Sequence, residues 1–207
     1  MGTRSKISSM GGIMTAEPQR TTWPVPPPDG YTVDDLFNLP DLPPHTELID
    51  GSLVFVSPQR IFHTLAMYLL ESGLRRTAPD KFRVRREMTV VLGPRNAPEP
   101  DLLVVRAEAE QSDEQTRYDA ADVVLAVEVV SPDSEDRGRD AKPRKYAAAG
   151  IPHFWLVEKG TGRRPAVHTY ELDPVTKSYA ITGIHHERLK LTVPFTIDID
   201  LTQIDHM

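Results

Sequence analysis

The chain of 207 residues contains no cysteine, which removes thiol nucleophiles, disulfides, cysteine-ligated zinc and iron–sulfur clusters together. That absence is compatible with a reducing compartment, so the expected location is cytoplasmic. No apolar run approaches 18 residues, so no segment is expected to span a membrane. The opening stretch, residues 1–15, lacks the apolar core of a signal peptide. A basic excess is missing too. Lys and Arg total 24 against 30 Asp and Glu, a formal charge of −6, whereas a dedicated nucleic-acid binder usually carries a basic balance. Any contact with DNA must therefore come from local basic patches or be assisted by metal ions. Neither a Gly-x-Gly-x-x-Gly turn nor a Walker lysine loop is present, which argues against a phosphate-cradling nucleotide fold. A Gly-x-Ser-x-Gly elbow is absent as well, so a Ser-His-Asp hydrolase fits poorly.

What is present describes a globular chain. With 39% hydrophobic and 26% charged residues, it can bury a substantial core without a covalent or metal staple. Residues 1–22 are polar and aperiodic and are expected to form a disordered leader, with Met10 and Met14 as alternative starts. Residues 23–44 hold seven prolines of 19 (Pro24, Pro26, Pro27, Pro28, Pro40, Pro43, Pro44). They are expected to wrap the domain outside a single short helix, capped by Thr32 with Asp34 and Asp35 in its first turn. A folded domain is expected over 45–207.

Within it, two strand-like runs flank Asp50-Gly51, a strong hairpin signal. Ile61, Phe62, Leu65, Ala66, Leu69, Leu70 and Leu74 recur at helical spacing. Strands are expected at 82–92, 102–105, 123–130, 151–157, 165–173, 178–184 and 188–193. A second helix is expected at about 140–149, ended by Gly150. Helices interleaved with strands imply a mixed α/β class, a central sheet flanked by at least two helices.

Three acids sit where ionised groups are costly. Glu128 lies inside the apolar run Val123–Val130, Asp101 at the mouth of Leu102–Val105, and Glu47 in the first hairpin. Carboxylates converging from neighbouring strands would make a hard-oxygen site suited to magnesium or manganese. Spacing alone leaves a second reading open, with Glu128 at a strand end in solvent or paired with an arginine. Lys142 and Lys145 follow on the next helix, with Tyr146 one turn beyond Lys142. Either lysine could return over the sheet toward Glu128, or both could belong to a solvated face with Arg137, Arg139 and Arg144.

The order of these pieces resembles the Uma-two family of restriction-endonuclease-like proteins, a branch of the PD-(D/E)XK nuclease superfamily. The resemblance rests on Glu47-Leu-Ile-Asp-Gly51; on Ser57, Pro58 and His63 opening a helix; and on Pro100-Asp101 before Leu102–Val105. Val127-Glu-Val-Val-Ser-Pro132 and Lys142 to Tyr146, with the strand Phe154–Val157, complete it. It covers about residues 45–160. It implies a restriction-endonuclease-like core and metal-dependent cleavage of DNA. Asp101 and Glu128 are then the motif acids and metal ligands, with Glu47 and the Val129 carbonyl completing the shell. The superfamily lysine, expected two residues after the acid, meets Val130 here, and the family pattern points instead to Lys142. His63 matches a family position without a role that the residues reveal. One departure is Gly138, where many members place an aspartate four residues before the lysine; Asp136 and Asp140 flank it.

Backbone contacts to DNA are expected from part of the cluster Arg75, Arg76, Lys81, Arg83, Arg85, Arg86 and from Arg137, Arg139, Arg144 and Lys145, unless these are ordinary solvated charges. Pairing into a homodimer is a further expectation, through residues 23–44 or the late strands. Two other functions stay open: a non-catalytic nuclease-fold module binding DNA or protein, and a metal-dependent phosphodiesterase acting on RNA or nucleotides.

Overall fold

A computed structural model describes residues 25–55, 58–130, 141–160 and 162–207. Helix α1 (Val33–Asn38) is short and held at its start by a reciprocal capping box: Asp35 N donates to Thr32 Oγ1 at 3.2 Å, and the Asp35 carboxylate accepts Thr32 N at 2.8 Å. Strands β1 (Thr46–Ile49) and β2 (Ser52–Phe55) form the hairpin, turned by Asp50 and Gly51, both at positive φ. Tyr31 and Leu36 pack with Leu48 and Ala97, so the proline-rich segment is fastened to this hairpin.

Helix α2 (Ile61–Thr77) buries the stripe Ala66, Met67, Leu69, Leu70 and Leu74. The strands that follow are β3 (Phe82–Arg86), β4 (Thr89–Val91), β5 (Leu102–Arg106), β6 (Arg117–Asp119) and β7 (Val123–Val129). Helix α3 (Lys142–Ala148) leads to β8 (His153–Lys159), β9 (Pro165–Asp173), β10 (Ser178–His185), β11 (Arg188–Leu191) and β12 (Ile197–Asp200), and a 3₁₀ segment (Leu201–His206) closes the chain.

Six strands make the central sheet, in the order β10-β9-β8-β7-β5-β3. Its pairs are antiparallel except β7–β8, the one pair in this sheet whose connection carries α3. The sheet is therefore mixed, as the interleaved pattern implied. One face packs under α2, with Leu102, Val127 and Val129 meeting Leu189, Ile197 and Ile199 of the β11–β12 hairpin. The other face packs under α3, where Leu103, Ala126 and Val130 meet Tyr146 and Phe154. No helix of the described residues is long and apolar enough to cross a membrane.

The structure corrects the sequence reading in three places. The strand expected over 82–92 breaks at Glu87, whose left-handed backbone ends the ladder with β5; Thr89–Val91 then pairs in parallel with β6 in a separate sheet. Strands β6 and β12 carry too few residues for an alternation to show, and their positions come from tertiary pairing. The helix expected from about 140 begins at Lys142. The leader at 1–22 and Asp136, Arg137, Gly138, Arg139 and Asp140 lie outside the described residues.

Gly73 lies inside α2, where glycine costs about 1 kcal/mol of helix propensity. Its reason is contact: a Cβ there would meet the buried Ile199 side chain at 2.5 Å. Gly73→Ala is expected to lose about 1–2 kcal/mol in urea denaturation, overpacking outweighing the gain in propensity, and a smaller loss is expected when Ile199 is shortened to Ala in the same chain.

Candidate active site

Strand β7 is buried along its whole length, and its alternation sends Val127 and Val129 to the α2 side. Glu128 between them faces α3, a carboxylate placed inside the core, 5% exposed. Such a group persists only with partners. Both of its oxygens have them: Oε1 accepts the Tyr146 hydroxyl at 2.6 Å, and Oε2 accepts Lys142 Nζ at 3.0 Å. Lys142 and Tyr146 are one helical turn apart, so a single face of α3 delivers both. The same ammonium donates to Glu47 Oε1 at 2.7 Å, an oxygen that also accepts Glu99 N at 2.8 Å. Glu47 thus arrives from the β1 edge, Glu128 from the sheet, and the lysine joins them.

Asp101, immediately before β5, lies beside this pair. Its Oδ2 accepts Val129 N at 2.5 Å, and its Oδ1 is 3.0 Å from His63 Nε2, in ion-pair range though out of line for a ring N–H bond. The first turn of α2 therefore supplies the histidine, and His63, Asp101 and Val129 form a second linked group. Glu47, His63, Asp101, Glu128 and Lys142 are all buried and all brought together. Tyr146, fully buried, is the member to which the sequence assigned no role; its i+4 spacing from Lys142 was the available signal.

Three carboxyl groups surround one ammonium, with the His63 imidazole against Asp101. Burial, reinforced by Asp101 and Glu47, pushes the Glu128 carboxyl up to about 8 against the pull of Lys142. For Lys142 burial works against the charge, but Glu128 and Glu47 outweigh it and hold the ammonium protonated. The same balance applies to His63: burial disfavours its charge, and Asp101 raises its pKa overall. Burial and the Glu128 charge drive the Tyr146 phenol upward, so it acts as a donor.

The oxygen donors suit a hard divalent cation. Among the described residues no three acids or histidines are already spaced as a ligand shell. The Lys142 ammonium instead lies between Glu47 and Glu128 and supplies the cationic charge.

Other expected residues lie elsewhere. Arg85 pairs with Glu110 and donates to Val84 O at 2.8 Å. Arg75 and Arg86 both pair with Glu71. Lys145 reaches Asp50 at the tip of the β1–β2 hairpin, at the side of the cluster. Arg137 lies outside the described residues.

A mixed central sheet with a helix packed on each face is the fold class that the sequence implied. The particular family follows from comparison. The family model described as "Putative restriction endonuclease", Uma2, matches residues 33–202, and the chain belongs to that family. A crystal structure described as "a putative nuclease belonging to DUF820", from Anabaena variabilis ATCC 29413, is similar with a TM-score of 0.64 at 17% identity, covering 84% of this chain and 96% of that one. No curated protein matches.

Because the folded state raises the Glu128 pKa from 4.5 to about 8, the native chain keeps a proton that the unfolded chain releases across that interval. Stability should therefore fall as pH rises from about 4.5 to about 8, the reverse of an ordinary salt-bridged acid. The Lys142 contribution is constant there, since its raised pKa matters only above its ordinary value. Urea denaturation across this pH range is expected to show the decline in the wild type and a flatter profile in Glu128→Gln.

Proposed function

We propose that this chain is a magnesium- or manganese-dependent endonuclease that hydrolyses DNA phosphodiester bonds, with the PD-(D/E)XK type of centre. The observation that carries the proposal is the meeting of Glu47, Asp101 and Glu128 around the Lys142 ammonium in one buried space. Asp101, Glu128 and the Val129 carbonyl would hold the ion, with Glu47 beside them. When bound, the ion supplies Lewis-acid polarisation of the phosphate and an acidified water.

The chain's own residues do the rest. Lys142, freed from part of its bonding to the carboxylates, presents a donor to the developing phosphate charge. Tyr146 fixes the Glu128 carboxylate through Oε1. His63 and Val129 N fix Asp101 through its two oxygens, so neither acid needs to reorganise during the reaction. Lys145, beside the cluster on the same helix, is placed for a phosphate oxygen once it leaves Asp50. Arg137 and Arg85 remain candidate substrate contacts, Arg85 only by releasing Glu110. A cytoplasmic setting is part of the same proposal.

A homodimer is proposed through the β10 edge. At the opposite edge β3 carries Arg83, Arg85 and Arg86, charges that discourage pairing. Strand β10 has no charged residue from Ser178 to Ile184, and Ile181 and Ile184 are about half exposed. One observation favours the alternative of a non-catalytic module: the lysine already occupies the space between two of the three acids.

Magnesium-dependent nicking of supercoiled plasmid distinguishes the two. Asp101→Ala and Glu128→Ala should each slow nicking by about 10²-fold or more; a wild-type chain that binds no divalent ion in calorimetry and leaves plasmid intact would establish the non-catalytic reading. For the assembly, sedimentation should find a dimer that Ile181→Lys converts to monomer with its circular dichroism unchanged.

A further inference from the structure

Helix α3 has two working faces. Lys142 and Tyr146 turn toward the carboxylates, while Pro143, Arg144 and Ala147 line a separate cavity of about 450 Å³ on the side of β8–β10. Its wall is aromatic. Phe154 stacks with Tyr179 at 5.5 Å between centroids, inclined 22°, and meets Tyr170 at 5.7 Å. The Tyr179 hydroxyl donates to Ile151 O at 2.9 Å, which fixes that ring in place. Arg144 from α3 and Lys177 from the β9–β10 turn supply the cations of the lining, and Ser178 adds a hydroxyl.

Among the described residues no carboxylate lines this cavity, although the chain as a whole carries −6. A larger cavity of about 580 Å³, near α1 and β6, is lined by Asp34, Glu114, Asp119 and Asp122 and would repel an anion. The aromatic cavity thus selects a ligand with a flat apolar body and a negative charge. Its volume is within the range of small-ligand sites. It neighbours the acid–lysine cluster, since the Tyr146 ring that holds Glu128 packs 5.9 Å from the Phe154 ring of the cavity wall.

We infer that this cavity receives an unpaired nucleobase of the strand held at the acid–lysine cluster, its phosphate meeting Lys177. The inference rests on the nuclease reading and deepens it, naming nucleic acid with a single-stranded stretch as the preferred substrate. A helix is about 10 Å across, so a strand crossing α3 spans the two sites with a few nucleotides. Bases stacked within an intact duplex have no free face to offer, and an unpaired base loses nothing by entering. Stacking on aromatic side chains tolerates any base, so the aromatic wall sets no sequence requirement.

The test is fluorescence anisotropy in EDTA, where no cleavage occurs, with labelled oligothymidylate, oligouridylate and a blunt DNA duplex. The wild type should bind the single strands more tightly than the duplex. Lys177→Glu and Tyr170→Leu should each weaken single-strand binding about tenfold and leave duplex binding unchanged. The exposed Lys177 variant reports even if Tyr170→Leu disturbs folding. The two single strands separate a deoxyribose from a ribose preference. Absent single-strand binding, equal affinity for the duplex, or affinity indifferent to Lys177→Glu would each overturn the inference. Plasmid nicking that persists alongside such indifference removes the cavity alone. Cavity-dependent binding without metal-dependent cleavage removes the catalytic reading alone.

Discussion

A buried ammonium bridging two buried carboxylates organises this molecule. Lys142 lies at 2.7 Å from Glu47 and 3.0 Å from Glu128, and each of these groups would be prohibitively placed without the others. Glu128 could not occupy the middle of a wholly buried strand as an unpartnered ion. Lys142 could not open α3 against the core without two acceptors. Glu47 ties the outlying β1–β2 hairpin to the central sheet through that same nitrogen. The interaction is thus a joint between three parts of the fold as well as the centre of the candidate site.

The sheet topology makes the joint reachable. A parallel β7–β8 pair demands a crossover, and the crossover helix returns the chain over the sheet face toward which Glu128 points. The first turn of α3 then delivers Lys142 and the next delivers Tyr146. On the opposite side, the first turn of α2 delivers His63 to Asp101. The acids are held from both layers, and the hydrogen bonds from Val129 N and Glu99 N come from donors fixed in the backbone. A site built this way is preorganised, which is what electrostatic stabilisation of a phosphoryl group requires.

Much of the architecture was legible because burial leaves periodic traces. The α2 stripe, the Asp50-Gly51 turn, the apolar β7 run and the Thr32 cap each encode a local preference strong enough to be read. Strand β4 was not legible as a separate element, since Thr89–Val91 continues the alternation of β3 and only the left-handed backbone at Glu87 redirects it. Basic residues were legible as charges but not as contacts. Arg85 and Arg86 look alike in the sequence, yet one is paired with Glu110 and the other with Glu71.

The sequence by itself determined where charge is costly: acids set among apolar residues at 47, 101 and 128, and lysines on the helix that follows. An ionisable side chain in an apolar run is costly enough to signal a partner, whatever the partner is. Tertiary structure decided the pairing. It chose Lys142 over Lys145, added Tyr146, and placed His63 on Asp101, because strand register and helix phase fix where side chains separated by 14 to 95 positions meet, and no local pattern encodes those distances.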